Sequence, residues 1–150
     1  MERNERDDAS ELRQSELAEG RLTRIIIGAA YRVYNAMGFG YLESVYEKCM
    51  MIELGKAGVD AAHQQPIDVT YCGEPVGHFI ADLLVGKRVI VELKSIRKLS
   101  TIHEAQLVNY LVATGLDVGL LINFGEEHVA IRRKVRRLGY HPVNPVILSP

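Results

Sequence analysis

The sequence predicts an α/β domain whose central mixed sheet is flanked by helices, with its elements in the order α-α-β-β-β-α-β-β. Three observations lead there. Apolar residues recur at helical spacing in the first third of the chain and again over 101–114. Short runs in the middle are apolar at consecutive positions, as strands are when helices cover both sheet faces. Two neighbouring runs are interrupted by ionisable residues, a local conflict of the kind that functional sites produce. A chain of 150 residues, 47% of them apolar and 25% charged, can bury the core of one domain without staples.

Residues 1–20 are polar, with few large apolar groups besides Leu12 and Leu17, and read as a flexible or loosely helical arm. The domain proper spans 21–140, and 141–150 form a tail. Leu22, Ile25, Ile26, Ala29, Ala30 and Val33 give one face of a helix over 21–36, ended by Gly38-Phe39-Gly40. Leu42, Val45, Cys49, Ile52 and Leu54 mark a second helix from about Leu42 to Lys56. Strand-like runs follow at 66–71, 78–85 and 88–95, the first two joined by a turn at Cys72-Gly73-Glu74-Pro75. Thr101 and Glu104 fit a capping box that opens a helix closed by Gly115. Strands at 118–124 and 128–135 complete the order.

Composition removes several classes. No apolar stretch approaches the roughly 20 residues of a membrane span, and the charged first residues do not resemble a signal sequence. Cys49 and Cys72 form no CxxC pattern and read as buried thiols, which fits a reducing cytoplasm. His63, His78, His128 and His141 have no zinc-ligand spacing. The net charge of −1 lends no support to nucleic-acid binding. Five of the six residues 132–137 are basic, however, and read as a solvated strand end or a phosphate track.

The chemistry centres on Val89-Ile90-Val91-Glu92-Leu93-Lys94. Charges inside an apolar strand need a partner or a metal, and residues two apart share one strand face, so Glu92 and Lys94 point the same way. Asp82 interrupts the preceding strand. With a two-residue loop at Gly86-Lys87, Asp82 would face Val91; with three loop residues or a bulge, it would face Glu92. Two carboxylates about 5 Å apart at the backbone level repel, and a hard divalent cation, Mg²⁺ or Mn²⁺, would relieve that.

Asp82, nine intervening residues, then Glu92-Leu93-Lys94 resembles the Asp…Glu-x-Lys signature of the PD-(D/E)XK nuclease superfamily. Gly40-Tyr41-Leu42-Glu43-Ser44-Val45-Tyr46 matches the motif that names the GxxExxY family, a small branch of it. Gln106 to Tyr110 resembles the QxxxY motif of RecB-like members, and Gly119 to Gly125 the late strand of the GxxExxY family. The resemblance covers about residues 22–138. It implies a restriction-endonuclease-like core and a metal-dependent nuclease acting on nucleic acid, DNA before RNA.

The resemblance and the chemistry assign the same roles. Asp82 and Glu92 hold the metal, with the Leu93 backbone carbonyl as a further ligand. Lys94 orients water or meets transition-state charge. Glu43 completes the metal site or bonds its water. Tyr46, Gln106 and Tyr110 contact substrate or support the site from behind. Tyr34 stands where the family often has His, which puts any role of that His in doubt here. Each residue also has a plain structural reading: a helix-start acid for Glu43, core aromatics for Tyr46 and Tyr110, a surface residue for Gln106, a cap-region residue for His103. The competing function is a silent nuclease fold that binds nucleic acid or protein. The small size and near-neutral charge favour a second copy or a partner protein beside it.

Overall fold

The structure, a computed structural model, describes residues 5–136. Its elements are α1 (Glu5–Met37), α2 (Glu43–Lys56), β1 (Ala61–Tyr71), β2 (Glu74–Val85), β3 (Val89–Lys94), α3 (Thr101–Thr114), β4 (Val118–Asn123) and β5 (Ala130–Val135). This is the predicted order, with two long extensions. The helix expected over 21–36 begins at Glu5, because the segment read as an arm is rich in Glu, Leu, Arg, Gln and Ala, all good helix formers. The first strand begins at Ala61 rather than 66. Residues 1–4 of that arm, Arg137 and the 141–150 tail lie outside the described residues.

The five strands lie in sequence order, β1-β2-β3-β4-β5. All neighbours are antiparallel except β3 and β4, which α3 joins by a crossover. Helices α1 and α2 cover one face, where Ile26, Tyr46, Met50 and Leu54 meet Leu83, Val91, Leu93 and Leu120. Helix α3 covers the other, with Leu107, Tyr110 and Leu111 against Ile67, Ile90 and Leu121. A fully buried Leu or Ile contributes about 1.5–3 kcal/mol, so this two-sided cover dominates the stability. No helix among the described residues is long and apolar enough to cross a membrane.

The β1–β2 ribbon changes face halfway. Phe79 and Ala81 pack on the α3 side, while Leu83 and Val85 pack on the α1–α2 side. All four are odd-numbered, so strict alternation would keep them together. The break falls at Asp82. Across the ribbon, the pairs His63–Leu83 and Gln65–Ala81 flank Gln64, whose φ of 51° is left-handed. A local twist there frees Asp82 from the plain alternation of its strand.

Two sequence expectations are corrected in detail. The helix α3 is capped by Ser100, not Thr101: the Ser100 N–H donates to His103 Nδ1 at 3.1 Å. Cys72 is exposed rather than buried, because Cys72 and Gly73, with φ of 50° and 78°, form the two-residue hairpin turn. The basic run is largely solvated, but Lys134 pairs with Glu104 at 2.8 Å and Arg136 with Asp117 at 3.0 Å.

Past β4 the chain packs against the exit of β3. Asn123, fully buried, satisfies its whole amide there. Its Oδ1 accepts from the N–H groups of Ile96 and Gly125, and its Nδ2 donates to the Ile96 carbonyl and Glu126. Gly125 lies so close that an added Cβ would overlap the Ile96 backbone. Gly125→Ala is therefore expected to destabilise the protein by about 1–3 kcal/mol, read as a lower urea midpoint. An unchanged midpoint would show that the two segments do not touch.

Candidate active site

The loop between β2 and β3 holds three residues, Gly86-Lys87-Arg88, and Val85 pairs with Val89. The register Leu83–Val91, carried one step further, sets Asp82 opposite Glu92. The two side chains then hold the strand ends in place of ladder bonds. The Asp82 N–H donates to Glu92 Oε1 at 3.1 Å, and the Leu93 N–H donates to Asp82 Oδ2 at 2.7 Å. Burial first, and then the Asp82 charge, push the Glu92 carboxyl from its ordinary 4.5 up to about 8. Burial also raises Asp82, with the acids Glu47 and Glu43 adding to it, while the Leu93 hydrogen bond and Lys94 oppose it. The metal-free pair thus shares a proton near neutral pH.

Around the pair stand groups from three elements. Lys94, half-buried on the strand of Glu92, acts electrostatically on both carboxyls. It makes no ion pair among the described residues. Glu43 opens α2 and is exposed. Tyr110 accepts a hydrogen bond from Gln106 Nε2 at 2.9 Å. Burial and the nearby Glu92 charge push its hydroxyl up to about 12. His103 faces Lys94 and Glu43; burial, then Lys94, lowers its pKa. Because its Nδ1 accepts from the Ser100 N–H, its remaining proton sits on Nε2.

The structure therefore brings Asp82, Glu92 and Lys94 together, with Glu43 and Tyr110 within electrostatic reach and Gln106 bonded to Tyr110. Tyr46 lies elsewhere. It is fully buried, stacks on Phe124 at 4.4 Å, donates to the Gly38 carbonyl at 2.6 Å and accepts from the Tyr41 N–H. Its motif works as a mount: Tyr46 ties down the loop that delivers Glu43. Tyr34 also lies on the α1–α2 side, donating to the Glu126 carbonyl at 2.7 Å. Two residues were missed in the sequence. Glu47, one turn beyond Glu43, acts on Asp82 while holding Gln64 at 2.8 Å and His63 at 3.4 Å. Its i,i+4 spacing from Glu43 was the available signal. Asn123 was the other, signalled by one amide inside a run of apolar residues.

The donor set fits a hard divalent ion. Among the described residues no three His, Cys, Asp or Glu side chains converge closely enough to hold a metal. The protein's share would be the Asp82 and Glu92 carboxylates with the Leu93 carbonyl. Water and substrate oxygens would complete the shell, as is usual for Mg²⁺. Two raised carboxyls side by side are the electrostatic strain that such a cation relieves.

A model of the PD-(D/E)XK nuclease superfamily matches residues 20–138. No curated protein matches the chain. The solved structure of SSO0001 is 19% identical, over 63% of this chain and 50% of that one, with a TM-score of 0.49. This chain thus spans about half the length of SSO0001. An alkaline exonuclease (LHK-Exo) from Laribacter hongkongensis is 14% identical, over 72% of this chain and 76% of that one, with a TM-score of 0.37.

The acid pair sets a pH dependence. A carboxyl whose folded pKa is about 8, above its ordinary 4.5, contributes stability that is whole below about 4.5 and lost as pH rises through about 8. Metal-free protein should lose stability across that window. Glu92→Gln, whose amide keeps the acceptor for Asp82 N–H, should flatten the loss and exceed wild type at pH 9 by on the order of 3 kcal/mol. Denaturant melts at pH 4.5, 7 and 9 in EDTA check this. A parallel slope in both proteins would remove Glu92 as its source.

Proposed function

This chain belongs to the PD-(D/E)XK nuclease superfamily, and on that premise we propose that it is a Mg²⁺- or Mn²⁺-dependent nuclease that hydrolyses the phosphodiester bonds of DNA. One observation carries the reading. Half-buried Asp82 and buried Glu92 are adjacent, and an uncommitted Lys94 lies two residues from Glu92 on the same strand. A structural ion pair would have closed Lys94 onto a carboxylate. The Gly40, Glu43 and Tyr46 positions support placing the chain in the GxxExxY branch, and the free Cys49 and Cys72 fit a cytoplasmic protein.

Asp82, Glu92 and the Leu93 carbonyl would hold a divalent cation, which would supply Lewis acidity for the phosphodiester and for water. The chain supplies the rest. The Lys94 ammonium meets charge developing on the phosphoryl oxygens and orients the attacking water. Glu43, exposed at the cleft mouth, accepts a hydrogen bond from that water. Gln106 fixes the Tyr110 hydroxyl within the field of Glu92, which keeps it protonated as a donor for substrate or water.

Single-stranded, duplex and branched DNA incubated with Mg²⁺ or Mn²⁺ test the proposal. Asp82→Asn should abolish both Mn²⁺ binding by calorimetry and cleavage. Lys94→Ala should keep or tighten Mn²⁺ binding, since a nearby cation is removed, yet slow cleavage at least about a hundredfold. Lys94→Arg should restore it only in part, because a planar fork does not place charge where a compact ammonium does. If wild type cuts nothing with either metal and Lys94→Ala leaves nucleic-acid affinity unaltered, the domain is a binding module instead.

A further inference from the structure

Beside the acid cleft lies a second feature that the hydrolysis does not use. A cavity of about 510 Å³ is bounded by Phe39, Tyr41 and Leu42 on one side and by Ser95, Ile96 and Arg97 on the other, and it shares Glu43 with the cleft. Its apolar wall is unusually open: Phe39 is 63% exposed, Tyr41 47% and Leu42 76%. These side chains are nonetheless mounted on a fixed loop. The Gly38 N–H donates to the Tyr34 carbonyl at 2.7 Å, and the Gly38 carbonyl accepts from Tyr46. The Ser95 hydroxyl donates to the Tyr41 carbonyl at 2.6 Å. The Tyr41 ring stands edge-on to Tyr46, 6.1 Å between centroids. The aromatic faces are therefore held out to solvent at little cost in side-chain entropy, which suits recognition and is wasteful otherwise.

Charge and continuity say what they receive. Arg97 is exposed in the cavity lining, Lys98 follows it, also exposed, and neither makes an ion pair among the described residues. Arg97 stands three residues after Lys94. A ligand that offers a flat aromatic face to Phe39 or Tyr41 and a phosphate to Arg97, while its chain continues to Lys94, is a nucleotide within a strand. We propose that this cavity takes an unstacked nucleobase next to the scissile phosphate, so that the protein acts on single-stranded DNA or frayed ends in preference to intact duplex. A base inside a duplex has both faces covered and cannot stack on these rings without being extruded. The inference rests on the nuclease reading of the neighbouring cleft.

Its test does not depend on cleavage. In EDTA, the full chain is titrated into a short single strand carrying 2-aminopurine at an internal position, and into the same strand in a blunt duplex. Quenching of 2-aminopurine is expected with the single strand and not with the duplex. Phe39→Ala should weaken binding about tenfold and remove the quench, a size typical of one stacked base. Phe39→Trp should preserve it. Arg97→Ala should weaken binding and lower the salt slope by about one. Ile52→Ala, at an equally exposed site about two and a half turns along α2 from Glu43, should change nothing. Equal quenching on duplex, no quenching on either substrate, or a quench that survives Phe39→Ala would each overturn the subsite. Failure of the nuclease reading shows separately, as wild type that neither binds Mn²⁺ nor cuts, and leaves the quench to decide the cavity.

Discussion

Two carboxyl groups that face each other across adjacent strands, one buried and the other half-buried, resist being charged together. The Asp82–Glu92 pair is this case, and the structure manages it with backbone donors: each acid accepts one main-chain N–H, from Leu93 and Asp82 respectively. Those bonds cannot offset burial, so Glu92 remains protonated to about pH 8. The pair is stable in the metal-free fold because it can keep a proton, and ready for a cation because it gives that proton up at modest cost.

Much of the surrounding architecture follows from holding that pair in register. The left-handed Gln64 and the phase break at Asp82 turn the β1–β2 ribbon so that its outer half packs over α3 while its inner half packs under α1 and α2. Asp82 sits at the crossover, where a side chain can reach past its own strand to the Leu93 N–H. On the opposite flank, Asn123 clamps both polar groups of Ile96 and fixes where the chain leaves β3 after Lys94. Leaving those groups unpaired would cost on the order of 1–3 kcal/mol each. The clamp therefore sets the strand exit more firmly than apolar packing alone.

The order of elements was readable in the sequence because the helices are periodic in apolar residues and most of the turns between elements carry glycine. Asp82, Glu92 and Lys94 stood out for a related reason: charges are conspicuous inside apolar runs. Less was legible where the decisive fact was a backbone angle or a partner distant in sequence. The positive φ of Gln64 has no residue signature, so strict alternation could not show which way Asp82 pointed. Tyr46 and Tyr110 looked equivalent as motif tyrosines. One stacks on Phe124 in the core and the other lies within the field of Glu92, and both partners are distant in sequence. Glu47 was hidden by its ordinary setting, a charged residue on a helix.

The loop Gly38 to Leu42 shows how a single short motif can serve two surfaces. Its left-handed glycines, with φ of 70° at Gly38 and 108° at Gly40, let the chain reverse tightly between α1 and α2. Tyr46 then binds the loop from inside, and the Ser95 hydroxyl binds it from the β3 exit. With both attachments made through the backbone, the side chains of Phe39 and Tyr41 are left to face outward while Glu43 faces the acid cleft. The same fastening that sets Glu43 relative to Asp82 therefore also sets the aromatic wall relative to Lys94. A change that loosens the loop should disturb chemistry and strand recognition together, whereas a change at the exposed tip of Phe39 should reach recognition alone.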